Sequence, residues 1–362
     1  MEKIKVCHVV GSMNKGGVES VVYSYSKELK DYVQPTFVCF DDSKFIPFED
    51  IGAIGGKVEI VPHVKHLRAF NKAFAKVLNE GDFDIIHSHI NTLSVFPLKV
   101  AKKCGYPIRI SHSHSQSSKK EFVRNMIKNF LKKFAKKYAT YYISCGEIAG
   151  RYQFGNKSFE NGEVKVIKNA IKLSIFKFNE KDRKAVREKL GIPMEANVAG
   201  NIGRLCETKN QTFILEIAKK LPDVHFVIVG GGPLEQELKD KIEQEKLSNV
   251  HMAGVTDNTA QFYSAFDSFI LPSLYEGVPV TGIEAQANGL YVIYSNNVPK
   301  ESLLSEHGCF LTIEENSVAK WVKEISTLRK HENHDKEITF AGFNIDEASK
   351  ELLKVYRELL KK

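Results

Sequence analysis

Short runs of β-branched and aromatic residues alternate with helix-like segments along the first half of the chain. Ile4–Val10, Pro35–Phe40 and Asp84–His87 have the composition of strands, and Val18–Leu29 and Leu93–Cys104 have the apolar spacing of helices. Alternating strands and helices form βαβ units, which place parallel strands in one sheet and helices on its faces. The first half therefore predicts a doubly wound α/β domain.

The second half of the chain repeats this pattern. Strand-like Val198–Ile202, His225–Val229 and Phe269–Leu271 alternate with the helical segments Thr212–Lys220 and Leu234–Lys246. A chain of 362 residues is too long for one ordinary domain, and its 43% hydrophobic content supplies two cores. We therefore expect two Rossmann-like domains that face each other across a cleft, with ligands at the carboxyl ends of the strands.

Two polar segments near the middle of the chain, Tyr152–Asn161 and Phe176–Lys184, have the composition of loops. Domain boundaries fall in such linkers. We place residues 1–170 in an N-terminal domain and residues 171–344 in a C-terminal domain.

Composition limits the location and the partners of the protein. The 52 Lys and Arg residues exceed the 44 Asp and Glu residues only slightly, and no recognition motif accompanies them, so no nucleic-acid partner is expected. No stretch reaches the roughly 18 apolar residues of a spanning helix, and Met1–Lys3 leads into a strand without a signal-peptide pattern. The six scattered cysteines form no C-x-x-C pair, which is typical of reduced thiols. We expect a cytoplasmic protein.

Two carboxylates follow the strand that ends at Leu271. Glu276 lies in the loop after this strand, and Glu284 lies in the first turns of the helix that comes next. Gly277 and Gly282 allow a ligand to approach the backbone, and the start of the helix offers unpaired N–H groups to a phosphate. The pair predicts recognition of hydroxyl groups on both sides of a bound phosphate.

Two cations follow another strand, Val198–Ile202. Gly203 allows a turn, and Arg204 and Lys209 come directly after it. Arginine offers a planar fork and lysine a point charge, a combination that suits a diphosphate. Their position at the end of a strand favours phosphate binding over surface decoration.

Glycine-rich turns follow two strands, at Gly16 and Gly17 and at Gly230–Gly232. Neither turn has the G-x-G-x-x-G spacing of a dinucleotide site, because Glu235 and other residues replace the required glycines. A nicotinamide-dependent oxidoreductase is therefore the least favoured function.

Histidines occur in two pairs, each at the end of a predicted strand: His87 with His89, and His112 with His114. A structural role is the ordinary interpretation of any one of these histidines, but two pairs at neighbouring strand ends favour a role in the cleft, as hydrogen-bond donors or proton carriers. A metal site is not expected, because it needs three ligands and no H-E-x-x-H or C-x-x-C motif is present.

The segment Lys119–Tyr138 has an apolar stripe at helical spacing flanked by eight cations, against the single acid Glu121. Two interpretations stay open. The segment is either an ordinary core-facing helix with a solvated basic face, or a surface that docks on anionic lipid headgroups.

Together these segments resemble the retaining GT-B glycosyltransferases that carry the E-x7-E motif, over nearly the whole chain. Glu276 and Glu284 have the spacing of that motif, and Arg204 and Lys209 fit the family's G-R-L-x3-K-N pattern. Arg109–His114 and the glutamate segment look most similar to bacterial capsule and exopolysaccharide enzymes.

The resemblance implies transfer of a sugar, with retention of configuration, from a nucleotide-diphosphate sugar, with UDP the expected nucleotide. The implied acceptor is a saccharide or a lipid-linked oligosaccharide at the inner face of the membrane, and neither a metal nor another cofactor is required. The N-terminal domain would bind the acceptor and would be completed by a C-terminal helix over 345–362. The C-terminal domain would bind the donor.

The resemblance also implies roles for individual residues. Arg204 and Lys209 would neutralise the diphosphate, Glu284 would bind the ribose and Glu276 the donor sugar. One histidine of His112 and His114 would lie near the reacting carbon. The remaining implied contacts on the donor side are Gly16, Gly17, Gly203, Gly277, Val278 and Pro279, and those on the acceptor side are His87 and His89.

One segment departs from the family pattern: the linker reads Asn169-Ala170-Ile171-Lys172, where the family usually has Asn-Gly-Ile-Asp. Two other functions stay open. A nucleotide-sugar 2-epimerase of the same fold would turn over its donor without an acceptor, and a non-catalytic scaffold would bind nucleotide sugar or membrane without turnover.

Overall fold

The computed structural model describes residues 2–14, 17–114, 130–132 and 134–361. The chain divides into two units, one formed by Met1–Ile171 with Gly342–Lys362 and the other by Lys172–Ala341. The boundaries expected from the sequence, at 170 and 344, lie within three residues of these divisions. The final helix therefore groups with the first unit.

The first unit contains a seven-stranded sheet in which all strand pairs are parallel, in the order β3-β2-β1-β4-β5-β6-β7. The strands are β1 Ile4–Gly11, β2 Val33–Phe40, β3 Lys57–Val61, β4 Ile85–Ser88, β5 Arg109–Ser113, β6 Tyr141–Ser144 and β7 Val164–Val166. The described helices are Gly17–Glu28, Phe48–Ala53, Leu67–Glu80, Val95–Lys103, Ala135–Tyr138, Glu147–Phe154, Asn156–Glu160 and Ile345–Leu360. The helix Leu67–Glu80 buries Phe70, Phe74 and Leu78, which recur at the helical period.

The second unit contains a six-stranded parallel sheet in the order β10-β9-β8-β11-β12-β13. The strands are β8 Asn197–Ile202, β9 Val224–Val229, β10 Val250–Gly254, β11 Ser268–Leu271, β12 Tyr291–Ser295 and β13 Gly308–Leu311. The helices are Glu180–Leu190, Gln211–Ala218, Glu235–Gln244, Thr259–Ala265, Val280–Asn288, Val318–Ser326 and Asp335–Phe340.

Both sheets confirm the predicted doubly wound α/β fold. In each sheet the strand order reverses beside the first strand, because β1 lies between β2 and β4 and β8 lies between β9 and β11. The crevice outside the carboxyl ends of the strands at such a reversal is where α/β sheets bind ligands.

The loop-like interpretation of Phe176–Lys184 is correct only up to Asn179, and much of the other polar segment is helical. Tyr152–Asn161 overlaps the helices Glu147–Phe154 and Asn156–Glu160, and Phe176–Lys184 runs into the helix Glu180–Leu190. The Asn179 side chain caps the last of these helices by accepting hydrogen bonds from the amides of residues 181 and 182. This helix is rich in charged residues and exposes most of its surface, so its composition resembles that of a loop.

The basic segment Lys119–Tyr138 lies mostly outside the described residues. In its described part, a short helix covers Ala135–Tyr138. Lys136 donates to the Glu163 carboxylate at 2.6 Å, and the Lys132 ammonium lies 3.9 Å from the centre of the Tyr152 ring. These two lysines therefore contact protein groups. Within the described ranges, no helix combines the length and the apolar character needed to cross a membrane.

Candidate functional site

The loops after β8 and β11 meet at the reversal point of the second sheet. The amide of Leu274 donates to the carbonyl of Thr208 at 2.8 Å, and the Asn210 side chain donates to the carbonyl of Pro272 at 3.1 Å. Neighbouring parallel strands bring their carboxyl ends to the same edge of a sheet. The two sequence segments that carry the predicted cations and carboxylates are thereby held together.

Lys209 and Glu276 form the central contact of this edge. The Lys209 ammonium donates to Glu276 Oε1 at 2.6 Å, and the Ser273 hydroxyl donates to the same oxygen at 2.7 Å. The two charged side chains are only 19% and 12% exposed. A sheltered ion pair is screened less by water and salt than a surface pair, so the attraction between Lys209 and Glu276 is stronger than it would be on the open surface.

The turn at Gly203 positions both predicted cations. The Lys209 stem passes over this glycine, with its Cε 3.6 Å from the place where a Cβ would stand. Arg204 is exposed, and its guanidinium has no hydrogen bond or ion pair within the described part of the chain. Lys209 is therefore fixed at the edge of the sheet, and the Arg204 fork is available to an anion.

The glycines after β9 pack against this turn. A Cβ at Gly230, where φ is +135°, would lie 2.0 Å from the Gly203 carbonyl oxygen, and one at Gly232 would lie 2.2 Å from that of Leu205. The Leu205 amide also donates to the carbonyl of Gly231 at 3.0 Å. Glycine is required here because two backbones touch.

The helix Val280–Asn288 begins directly after Pro279 and carries Glu284 in its second turn. The Tyr263 hydroxyl donates to the Glu284 carboxylate at 2.6 Å. Burial raises the pKa of Glu284 to about 7, and the Tyr263 hydrogen bond lowers that pKa in part. The residue as a whole is partly exposed, whereas its carboxyl group is desolvated.

The glycines around Glu276 and Glu284 differ in their surroundings. No atom lies within 4 Å of a Cβ placed at Gly277, so the backbone there is open. A Cβ at Gly282 would lie 2.4 Å from the Tyr294 hydroxyl oxygen. The expectation that a ligand approaches Gly282 is therefore wrong, because the Tyr294 side chain occupies that space. Val278 lies between Gly277 and Pro279 and is partly exposed.

The four predicted histidines of the first unit lie together on one face, at the carboxyl ends of β4 and β5. A fifth histidine, His8, joins them from the neighbouring strand β1, where it is in register with His87. All five are more than nine-tenths buried. The alternation of side chains along adjacent parallel strands brings them to the same face.

One chain of hydrogen bonds runs through three of these histidines. His8 Nδ1 lies 3.0 Å from His89 Nε2, and His89 Nδ1 lies 3.0 Å from His114 Nε2. His114 Nδ1 lies 2.9 Å from the Asn169 Oδ1 atom, which can only accept. Since each neutral imidazole donates once and accepts once, His8 donates to His89, His89 to His114, and His114 to Asn169.

Burial keeps these rings uncharged. It lowers the pKa of His8 to about 3 and that of His114 to about 4, and it lowers the pKa values of His87, His89 and His112 well below the usual range. The neutral rings are the forms that the hydrogen-bond chain requires.

A second chain ends at His112. The His87 Nδ1 atom lies 2.7 Å from the Tyr356 hydroxyl of the C-terminal helix, and its Nε2 lies 3.2 Å from His112 Nδ1. His112 Nε2 is buried and has no hydrogen-bond partner within the described residues. Of the two histidines predicted near the reacting carbon, His112 has the unengaged ring nitrogen, and both nitrogens of His114 have partners.

The sequence analysis missed His8, Asn169 and Tyr356. The only sequence signal for His8 was the predicted strand Ile4–Val10, which places this histidine on one face of the sheet. The same analysis excluded a metal for want of a third ligand. The fold supplies one, because ring nitrogens of His8, His87 and His89, and of His89, His112 and His114, lie within 4.8 Å of one another.

The glycine pair after β1 is only partly described. Gly16 lies outside the described residues. Gly17 opens the helix Gly17–Glu28, and no atom lies within 4 Å of a Cβ placed on it.

Two protein families match consecutive parts of the chain. Residues 15–175 match the family described as Glycosyltransferase Family 4, and residues 182–344 match the family described as Glycosyl transferases group 1. The two matches correspond to the first and second structural units.

Curated relatives support the same assignment. The chain is 32% identical to the putative glycosyltransferase EpsF of Bacillus subtilis, over 82% of this chain and 80% of that protein. It is 26% identical to the capsular polysaccharide biosynthesis glycosyltransferase CapH of Staphylococcus aureus, over 98% of each chain. It is 24% identical to the UDP-Gal:alpha-D-GlcNAc-diphosphoundecaprenol alpha-1,3-galactosyltransferase of Escherichia coli, over 89% of this chain and 87% of that one.

A solved structure shares the fold over the whole chain. Anabaena HepE in complex with UDP-glucose superposes with a TM-score of 0.74 at 20% identity, covering 99% of this chain and 98% of that one. The fold is therefore that of the GT-B class, with two Rossmann-like domains.

Proposed function

The chain belongs to the glycosyltransferases with a family 4 and a group 1 domain, and on that premise we propose that it transfers a sugar from a UDP-sugar with retention of configuration. The observation that carries the proposal is the contact between Lys209 and Glu276 at the reversal point of the second sheet. A cation for phosphate and a carboxylate for sugar hydroxyls lie side by side there, and Glu284 follows in the next helix.

Each residue of this edge has a distinct task in the proposal. Arg204 and Lys209 bind the two phosphates, and the N-terminal amides of the helix Val280–Asn288 add further donors. Glu284 accepts hydrogen bonds from the ribose hydroxyls, and Glu276 accepts them from the donor sugar. Gly203, Gly277, Val278 and Pro279 supply backbone that lies close to the ligand.

The cations also support the chemistry. The bond from the anomeric carbon to the diphosphate oxygen breaks, and a bond from an acceptor hydroxyl oxygen to that carbon forms on the same face. Negative charge grows on the departing diphosphate, which takes up the proton of the acceptor hydroxyl. Arg204 and Lys209 stabilise that charge, so the donor needs no metal ion for its departure.

The first unit supplies the acceptor side in this proposal. The role near the reacting carbon falls to His112 in the proposal, because its buried Nε2 has no partner among the described residues, and His87 and His89 hold His112 and His114 in place through hydrogen bonds. Gly16 and Gly17 contribute backbone amides to the phosphates.

The acceptor we propose is a saccharide or lipid-linked oligosaccharide of capsule or exopolysaccharide synthesis, used at the inner face of the cell membrane. The names of the relatives from Staphylococcus aureus and Escherichia coli support this choice. The basic segment Lys119–Tyr138 would then contact anionic lipid. Because Lys132 and Lys136 contact protein groups, liposome flotation should compare the wild type with Lys119→Glu/Lys120→Glu/Arg124→Glu. Equal binding of both to anionic vesicles would refute the membrane role.

The decisive experiment is calorimetry of nucleoside diphosphates and nucleotide sugars in the presence of a chelator. Micromolar binding of one UDP-sugar is expected, and Arg204→Ala/Lys209→Ala should lower turnover at least 100-fold while binding of uridine itself is retained. Lys220→Ala, which changes an exposed lysine, is the control. Wild-type turnover in the double variant would refute the site.

Two further outcomes separate the alternative functions. Donor rearrangement or hydrolysis without any acceptor would indicate a 2-epimerase. Tight binding of a nucleotide sugar without turnover in the presence of any acceptor would indicate a scaffold.

A further inference from the structure

We propose that the second unit has a site for a transition-metal dication of the zinc type, formed by His307, Glu332 and His334. One donor atom from each of these three side chains lies within 4.8 Å of the other two. His307 directly precedes β13, and the other two residues precede the helix Asp335–Phe340. The fold thus brings together three ligands that are not arranged as a metal-binding motif in the sequence.

The histidines of this site have unmet hydrogen-bonding groups. His307 and His334 are 9% and 7% exposed, and the Nε2 atom of each is buried without a partner among the described residues. Buried polar groups in proteins are nearly always paired, so unpaired nitrogens on two rings whose centres lie 5.4 Å apart need an explanation. A metal ion, together with the water that completes its coordination, provides one.

The electrostatics of the site favour a cation. Glu332 Oε1 lies 3.2 Å from His307 Nδ1, so a carboxylate lies directly beside one of the buried rings. An open depression of about 800 Å³ beside the site is lined by two more carboxylates, Glu306 and Glu337. Three carboxylates around two imidazole rings disfavour an anion and suit a dication.

The donor set selects the kind of ion. Two imidazole nitrogens and one carboxylate oxygen are common zinc ligands, whereas magnesium prefers oxygen ligands and retains its waters. In a tetrahedral zinc site the ligand atoms lie about 3.3 Å apart, since each bond is about 2.0 Å long. The exposed Glu332 side chain is the ligand that can move to close the remaining gap.

The site differs from the histidine cluster of the first unit. There, neighbouring imidazoles hydrogen bond to one another in continuous chains. The rings of His307 and His334 lie 5.4 Å apart, and no hydrogen bond joins them.

An ion at this site would cross-link two parts of the second unit. The Glu332 amide donates to the carbonyl of Gly289 at 2.9 Å, and His331 Nδ1 lies 3.0 Å from the carbonyl of Asn288. These contacts attach the Glu332 segment to the carboxyl end of the helix that carries Glu284. The ion would join this segment to the start of β13. The inference is independent of the proposed transfer reaction.

The test uses the full chain, stripped with chelator and titrated with zinc chloride in a calorimeter. Glu332→Gln keeps the shape of an exposed side chain and should weaken zinc binding at this site tenfold or more. His307→Gln/His334→Gln should remove one equivalent of bound zinc. The matched control is His225→Gln/His251→Gln, which changes a second histidine pair of the same unit, joined by a 2.9 Å hydrogen bond without a third ligand.

Thermal unfolding provides a second measurement. Zinc should raise the Tm of the wild type and of the control, because a ligand that binds only the folded chain stabilises it, and the rise should disappear in the two site variants. Magnesium at the same concentration should have no effect. The proposal is overturned if the wild type binds no zinc, if both site variants bind zinc as the wild type does, or if the control loses as much as they do.

Discussion

Lys209 and Glu276 are 67 residues apart in the sequence, yet the lysine ammonium donates a 2.6 Å hydrogen bond to the glutamate carboxylate. The proposal assigns the lysine to phosphate and the glutamate to the donor sugar. In the structure each of these groups satisfies the other's charge, so a bound diphosphate must compete with Glu276 for Lys209.

This competition predicts opposite effects on two ligands. Glu276→Gln should leave UDP binding unchanged or tighten it a few-fold, because Lys209 loses a charged competitor. The same change should lower turnover of the nucleotide sugar by about 100-fold, because the contact to the sugar is weakened. Glu207→Gln, in the loop after β8, is the control for calorimetry and product assays. Equal losses for both ligands would instead mean that Glu276 mainly positions Lys209.

The raised pKa of Glu284 predicts pH-dependent nucleotide binding. An ionised carboxylate accepts hydrogen bonds from both ribose hydroxyls, so affinity for UDP should fall as the pH drops through about 7. Tyr263→Phe removes a hydrogen bond that lowers this pKa and should move the midpoint to higher pH. Calorimetry between pH 5.5 and 8.5 measures both effects, and a midpoint near pH 4.5 would show that the carboxyl is not desolvated.

The same carboxyl predicts an effect on stability of the opposite sign. A raised carboxyl pKa means that ionisation destabilises the folded chain, so this destabilisation grows from about pH 4.5 to 7 and persists above. Glu284→Gln should therefore be more stable than the wild type at pH 8, by at most about 3 kcal/mol, although it binds nucleotide more weakly. Urea unfolding at pH 8 measures the difference, and a less stable variant would contradict the account.

The histidine cluster predicts loss of stability in mild acid. Histidines with lowered pKa values take up protons more readily in the unfolded chain, so stability is full above about pH 6.5 and falls below it. Each histidine contributes a slope of up to about 1.4 kcal/mol per pH unit. Urea unfolding followed by circular dichroism measures the slope, and His8→Gln should make it shallower. If the slope is unchanged in that variant, protonation of His8 does not contribute to the loss of stability.

The two candidate histidines should differ in their kinetic effects. His112→Ala removes the ring with an unengaged nitrogen and should lower kcat about 100-fold at unchanged UDP affinity. His114→Asn should have a smaller effect, because both nitrogens of His114 are occupied by His89 and Asn169. Steady-state kinetics with saturating donor tests the order. A larger loss of kcat in His114→Asn than in His112→Ala would assign the position near the reacting carbon to His114.

Metal removal should separate turnover from stability. Because Arg204 and Lys209 meet the diphosphate charge in the proposal, chelator treatment should leave the transfer rate at 25 °C unchanged. If zinc occupies the site at His307, the same treatment should lower the Tm. A chelated enzyme that regains its turnover only with added magnesium would contradict the metal-independent mechanism.

The sequence predicted that the residues of the proposed donor site follow neighbouring strands, and their meeting at one sheet edge then follows from topology. Once β8 and β11 are strands of a parallel sheet, the residues that follow them must meet at one edge, whatever the details of packing. The contact between Lys209 and Glu276 needs the exact conformations of both loops. It depends on the Gly203 turn and on the glycines that pack against it, and sequence spacing does not determine these.

Other features depended on partners far away in the chain. His8 lies on a strand that was predicted, but its neighbours His87 and His89 follow from a strand order that the sequence does not contain. Asn169 and Tyr356 reach the cluster from the linker and from the last helix. The zinc-type site was missed for the same reason, because Glu332 and His334 meet His307 only after β13 has joined the sheet.

The order of the two units along the chain has a consequence for synthesis. The ribosome releases β1–β7 first, but the helix that packs against them, Ile345–Leu360, emerges only after the second unit. The second unit is continuous and can fold completely before that helix appears. Until then the nascent first unit is incomplete. His87 lacks its Tyr356 partner, and part of the apolar surface of the unit is uncovered. Chaperone demand during translation, and sensitivity to premature termination, should accordingly concentrate in the half of the protein that is made first.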